Sequence, residues 1–415
     1  MATRTHVHEL RVTHPSRQGH AGPAFRVPVG PVDFDLDPAR VGRARELTRR
    51  VWRYEQVEHI PVIIDLGPEC DESVQDVLMH DDAWFNSGVR RIERSLRVLP
   101  DDYIPIFEPP WAAYFSTPVM LGAELWWEED ADSWPAVRTP PVRDLDALAR
   151  LEVPDVHASP HFRNVLRRLA IARDCLPPDV AIGGVDMMSP LGDLQGIMDQ
   201  SLLFVSMKRA PEAIRRACEV ITVTQEAAQE AALEAVGGEA RLAGLSNWPI
   251  WRPEGAKVLV TDDIAGLLSP AAYAAFDKPY GDRLLRRWGG GLRHVCGPHP
   301  ALSLYVTSEP PVYGLNCAHR FSRAAIAELK EEMGRRALEQ HGRRAHLEVM
   351  FERDMSLTDI VGAFRGLAEA LAPDVVAIPY CQVASDNSVS DDAIATFARE
   401  MRRVAEAYAK SVRWD

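Results

Sequence analysis

The stretch "GLRHVCGP" (291–298) places an imidazole and a thiol two residues apart at the end of an apolar run, which Gly297 and Pro298 then close. In an extended strand side chains alternate, so His294 and Cys296 project to one face and Val295 to the other. A second apolar run, "DVVAIPYC" (374–381), ends on the thiol of Cys381. A catalytic zinc site takes three protein ligands from Cys, His or carboxylate and keeps one position open, and thiolates favour a thiophilic metal. His294, Cys296 and Cys381 supply such a set from two strands. The same residues equally fit a hydrogen-bonded His packed beside inert buried thiols, because free Cys is among the most buried residue types. Residue type and spacing leave both accounts open.

Bringing these residues together is the task of the elements around them. Short strand-like runs recur along the chain: "HIPVIIDLG" (59–67), "PVMLGAELWW" (118–127), "DVAIGGVDM" (179–187), "ARLAGLSNW" (240–248), "GLRHVCG" (291–297), "PPVYGLNC" (310–317), "RAHLEVMF" (344–351) and "DVVAIPYC" (374–381). Amphipathic segments of helical period separate several of them. Strand and helix alternating eight times predict an α/β protein with a (β/α)8 barrel. A doubly wound open sheet is the alternative, but no G-x-G-x-x-G follows any of the runs. Residues 1–36, polar and rich in His, Arg, Gly and Pro, are expected to form an N-terminal arm, and residues 37–415 a single barrel domain.

Active sites of such barrels gather at the C-terminal ends of the strands. Read in order, those ends carry Asp65, Glu124, Asp186, Asn247, His294 with Cys296, Cys317, Glu348 and Cys381. Cys317 fits a fourth ligand, a thiol behind the ligands or a core residue, and Asp186 and Glu348 fit solvated carboxylates as well as site groups. Trp126, Trp127, Trp248, Trp251 and Tyr380 fit either a partly apolar substrate or ordinary packing.

Charge narrows the partners. Sixty acidic residues against 47 basic ones give a formal charge of −13, which argues against nucleic acid or an anionic membrane surface. A small molecule or another protein is the expected partner, with a homodimer as the oligomeric expectation. The chain has no run of the about 18 apolar residues that a membrane helix needs. Its first residues lack the apolar centre of a secretory signal, so a cytoplasmic protein is expected. The six cysteines are scattered, as reduced thiols or metal ligands would be.

"RHVCG" (293–297) and "VVAIPYCQVASDN" (375–387) resemble two motifs of the uroporphyrinogen decarboxylase superfamily, closest to its zinc-dependent, corrinoid-linked methyltransferases. "VLVTDDIAGLLSPAAYAAFDKPYGDRL" (258–284), "GGVDMMSPLGDLQGIMD" (183–199) and "MKRAPEAIRRACEVIT" (207–222) are similar to further segments of that family, and the resemblance runs from about residue 40 to the C-terminus. It implies the barrel, with Zn2+ on His294, Cys296 and Cys381. It also implies that one of the Asp262–Asp263 pair faces the site. Asp263 is taken as that residue, holding the far nitrogen of the imidazole. Asp263 and Glu348 become the expected catalytic groups, and Asp65, Asp186, Asn247, Trp248 and Tyr380 the expected substrate contacts.

The implied reaction is methyl transfer from a methyl-corrinoid, supplied by a partner protein, to a thiol that loses its proton on the metal. The R-Q-A-G-R motif of the decarboxylases has no copy here; "RARELTRR" (43–50) reads as a solvated helix face. The alternative activity is a lyase or decarboxylase acting on a small carboxylated substrate. It needs cations at the mouth, for which Arg320 and Arg353 stand near strand ends while Arg293 points away. A third account is a barrel that only binds a corrinoid or tetrapyrrole. No D-x-H-x-x-G motif appears, so a corrinoid has to arrive on a partner.

Overall fold

The computed structural model describes residues 28–67, 72–99, 102–109, 115–130, 132–137, 139–246, 248–298, 300–306, 312–322, 326–383 and 389–414. Most of the expected arm, and Asn247 among the expected substrate contacts, lie outside these residues. The described end of the arm packs on the fold. Val32 donates its N–H to the carbonyl of Cys175 at 2.9 Å, and Phe34 is buried.

The strands are β1 (Ile63–Asp65), β2 (Ile106–Phe107), β3 (Leu125–Trp126), β4 (Ala136–Val137), β5 (Ala181–Ile182), β6 (Val258–Thr261), β7 (Gly291–Val295), β8 (Val312–Ala318), β9 (His346–Phe351) and β10 (Val376–Gln382). Six of them form one curled parallel sheet in the order β1-β10-β9-β8-β7-β6. β2 and β5 form a parallel pair, tied toward β6 by the single bridges Ile182↔Leu242, Leu245↔Val258 and Met188↔Thr261. No ladder joins β2 back to β1 among the described residues, so the sheet is a curled α/β layer rather than a fully laddered barrel. Parallel strands covered on both faces need near-continuous apolar sequence, and β6, β7 and β9 are buried at every position. Gly291 and Gly314 let the strands approach. A Cβ on Gly291 would stand 1.9 Å from the carbonyl oxygen of Val258, and one on Gly314 2.0 Å from that of His346.

Helices cover the outside. Those at Pro38–Trp52, Pro160–Cys175, Pro190–Ile197 and Pro270–Phe276 each start with an Asp or Ser whose side chain accepts a first-turn N–H, followed by Pro at the position that has no N–H to lose. Outward residues of the sheet, including Ile64, Val295, Leu315, Cys317, Leu347, Val349, Phe351 and Cys381, share one apolar core with Ile360, Phe364, Phe397 and Met401 of the helices Leu357–Leu371 and Asp391–Ser411. No helix among the described residues is long and apolar enough to cross a membrane.

Two strand expectations are corrected. The run 118–127 is no barrel strand: Ser116–Met120 is a helix, the chain turns at Gly122 with φ +95°, and β3 pairs antiparallel with β4 as a hairpin that leaves Glu124 and Trp126 exposed. The parallel strand of that region is β2, two residues between Pro105 and Pro109 and too short to show alternation. β6, in turn, is a full strand, whereas the described residues of 240–248 pair with neighbouring strands through the single bridges at Leu242 and Leu245.

Candidate metal centre

The site begins with register. Thr261, His294, Asn316, Glu348 and Ile378 are successive partners across β6, β7, β8, β9 and β10, so their side chains form one row on the inner face of the sheet. Glu348 is anchored first. Arg252, wholly buried in the segment before β6, donates from Nε at 3.0 Å and Nη2 at 2.7 Å to its two oxygens. Such a planar bidentate pair fixes both partners. Asn316 then donates from Nδ2 to Glu348 Oε2 at 2.8 Å, which leaves its Oδ1 as the acceptor facing His294 Nδ1 at 2.7 Å. An acceptor at Nδ1 requires the proton there, and Nε2 therefore keeps its lone pair. Burial lowers the His294 pKa and favours the same neutral ring.

That lone pair meets two more ligand atoms. His294 Nε2 lies 3.0 Å from Cys296 Sγ and 3.8 Å from Asp263 Oδ1, and the ligand atoms of Asp263, His294 and Cys296 all lie within 4.8 Å of one another. Asp263 Oδ1 also accepts the N–H of Cys296 at 2.7 Å, which ties the loop after β6 to the end of β7. Burial, with the adjacent Asp263 carboxylate, pushes the Cys296 thiol up to about 12, so without a cation the sulfur keeps its proton. Carboxylate, imidazole and thiolate together suit a borderline-soft dication such as zinc. The Asp263 side chain is 41 % exposed, and this side of the group is open to solvent.

The pair Asp262–Asp263 divides between the two faces. Asp262 is buried on the outer side, where it accepts from Arg293 Nη1 at 3.0 Å and from the Tyr273 hydroxyl at 3.0 Å, while its N–H donates to the His294 carbonyl at 2.7 Å. Arg293, expected to point away from the ligands, is fully buried in that outer cluster with Asp262 and Asp282.

The remaining expected residues scatter. Cys381 is not in the ligand group. Its register partners are Phe351 and Ile64, and it is fully buried with them in the outer apolar core, where burial raises its thiol pKa. Cys317, the partner of Val295 and Val349, lies in the same core. Tyr380, one residue from Cys381, faces inward and donates its hydroxyl to Asp65 Oδ2 at 2.8 Å. Trp248 packs between His294 and Tyr380, with ring centroids 5.1 and 5.5 Å away. Asp65 also stands 3.5 Å from Arg91 and lines a cavity shared with Arg91, Tyr103, Trp251 and Glu348. Asp186 is buried on the inner side near Asp263.

Two expected roles change with this geometry. Both Glu348 oxygens are engaged, and the carboxylate positions Asn316. The far nitrogen of His294 is held by Asn316 and not by Asp263. Asn316 and Arg252 were missed in the sequence. The only trace of Asn316 was a polar residue inside the apolar run "VYGLNCA", on the opposite parity from the more conspicuous Cys317. Arg252 gave no local signal.

No family model and no curated protein matches the chain. Among solved structures it is similar to a methyltransferase from Methanosarcina mazei, with a TM-score of 0.60 at 17% sequence identity, covering 86% of this chain and 98% of that one; the two share a fold.

Proposed function

We propose that this chain is a zinc-dependent methyltransferase of the uroporphyrinogen-decarboxylase-like barrel type, acting on a thiol acceptor with a methyl-corrinoid carried by a partner protein. The observation that carries the reading is the His294 ring, pinned by Asn316 so that the Nε2 lone pair is aimed between Cys296 Sγ and Asp263 Oδ1. The fold shared with a methyltransferase supports it. Asp263, His294 and Cys296 would hold the zinc, which when bound would supply the positive charge that keeps an acceptor thiol deprotonated near neutral pH.

The chain's own groups do the rest. Asn316, Glu348 and Arg252 hold the imidazole neutral and oriented. Asp263 and Cys296 contribute one negative charge each as ligands, which offsets the dication and keeps an acceptor sulfur electron-rich. The Trp248 ring covers one side of His294, and the exposed edge at Asp263 leaves the approach for the methyl donor. Of the two cations the lyase reading needs, Arg320 is engaged with Glu352 at 3.0 Å and Arg353 is exposed just past the end of β9.

Metal analysis of the purified chain tests the site. About one zinc per chain is expected. It should be lost in Cys296→Ser and His294→Ala, weakened in Asp263→Asn and retained in Cys381→Ser. Loss in Cys381→Ser with retention in Asp263→Asn would restore the ligand set implied by the sequence resemblance. Methylcobalamin with a simple thiol then tests the reaction: thioether formed by the zinc-loaded chain and not by Cys296→Ser is the expected result, and none from either would remove the methyltransferase reading.

A further inference from the structure

Asp186 is 6 % exposed, yet neither of its carboxylate oxygens makes a hydrogen bond of ordinary geometry among the described residues. Its direction follows from its neighbours. Val185 and Met187 lie in the outer apolar cluster with Val165, Leu169, Ala228 and Ala232 of the covering helices, so the residue between them projects inward. It shares parity with Met188, which is bridged to Thr261, the register partner of His294. The Thr261 hydroxyl oxygen is also buried without a partner. Thr261 stands one strand spacing, about 5 Å, from His294, and the segment that carries Asp186 lies one further spacing beyond β6.

The field in the recess has one sign. After burial itself, the largest influence on Asp186 is the Asp193 carboxylate, and Asp263 adds to it; the Met187 N–H and the Thr261 hydroxyl lie near enough to offset only part. Together these push the Asp186 carboxyl up to about 8. Asp193 has a well-formed donor, Gln225 Nε2 at 2.6 Å, whereas Asp186 has only the Met187 N–H and the Thr261 hydroxyl nearby, neither in ordinary hydrogen-bond geometry. A buried carboxyl left in this condition costs stability. An anionic ligand group entering here meets repulsion, and a cationic N–H donor relieves both the missing hydrogen bonds and the like-charge pair.

We propose that Asp186, with Thr261 beside it, is a recognition subsite for an ammonium group, which makes the acceptor a small aminothiol whose nitrogen reaches the recess while its sulfur reaches the metal ligands. The assignment rests on the thiol-activating reading of Asp263, His294 and Cys296 given above.

The test is calorimetric titration of the zinc-loaded protein with 2-aminoethanethiol, 2-mercaptoethanol and 3-mercaptopropionate, each for the native chain and for Asp186→Asn. The native chain should bind 2-aminoethanethiol about tenfold or more tighter than 3-mercaptopropionate. Asp186→Asn should bring the two within about twofold, with zinc content and 2-mercaptoethanol binding unchanged. Thiols that bind the native chain equally, or the carboxylate thiol binding best, would overturn the ammonium subsite and leave thiol activation standing. No thiol binding by a chain that holds zinc would overturn thiol activation and the subsite with it. Where Asp186→Asn does not fold, Asp186→Ser takes its place, and a preference for 2-aminoethanethiol that survives undiminished in the folded variant would overturn the subsite.

Discussion

The inner face of the sheet carries two buried polar groupings that solve opposite problems. In the row Arg252–Glu348–Asn316–His294 every carboxylate oxygen and the Asn316 amide are paired, at distances between 2.7 and 3.0 Å. On β6 and the segment bridged to it, the Thr261 hydroxyl and the Asp186 carboxylate are also buried, yet neither makes a hydrogen bond of ordinary geometry. A satisfied buried network is rigid and fixes one geometry, which is what orienting a ligand nitrogen requires. An unsatisfied one is costly alone and gains when a complementary group arrives. The contrast separates residues that hold the site from residues placed to receive something.

The comparison can be broken most severely at Arg252. Arg252→Met leaves the Glu348 carboxylate buried without its cation, and the expected loss is about 3–5 kcal/mol in urea unfolding. A change below about 1 kcal/mol would mean that the pair does not hold the row. Next in size is Asn316→Ala, which frees the imidazole to take the wrong tautomer. Zinc affinity measured by chelator competition should fall about 10- to 100-fold, and unaltered affinity would show that the His294 tautomer is set elsewhere.

The recess is sharpened by pH. The folded-state pKa of Asp186, about 8, lies above the ordinary carboxylate value, and that of Asp193, about 7, does too. The folded chain therefore binds more protons than the unfolded one between about pH 4 and the folded values. The stability these groups contribute is present below about pH 4 and is lost as pH rises toward about 8. Asp186→Asn should flatten that decline and, at pH 8, raise stability by about 1–3 kcal/mol relative to the native chain. An identical slope in the variant would show that Asp186 is not the group responsible. The smallest effects belong to the outer core: Cys317→Ala and Cys381→Ala should each cost about 1 kcal/mol and leave zinc affinity unchanged, because both side chains are buried there, on the opposite face of the sheet from the His294 ring.

Much of the layout was legible in the chain itself. Apolar runs alternating with amphipathic helices announce a parallel α/β fold, and seven of the proposed runs fall on strands or bridged extended segments of the sheet system. β2 was missed because two residues between prolines carry no period. The run at 118–127 misled because apolar residues there serve a short helix and a hairpin. The Ser-Pro and Asp-Pro helix starts were readable from local chemistry alone.

The site divides along the same line. That His294 and Cys296 share a face, and that Arg293 does not, follows from the two-residue period of a strand and was determined by the sequence on its own. Which residues stand beside them was not. Asn316 and Glu348 reach His294 only because β7, β8 and β9 pair in one particular register, and Arg252 reaches Glu348 across 96 residues of chain. Asp263 comes beside His294 and Cys296 through the turn after β6. Cys381 lies outside because, on β10, it shares parity with core residues and Tyr380 does not. Local periodicity is written in neighbouring residues, whereas register, facing and the meeting of distant loops are settled by packing the whole sheet against its helices, and only the tertiary structure decides them.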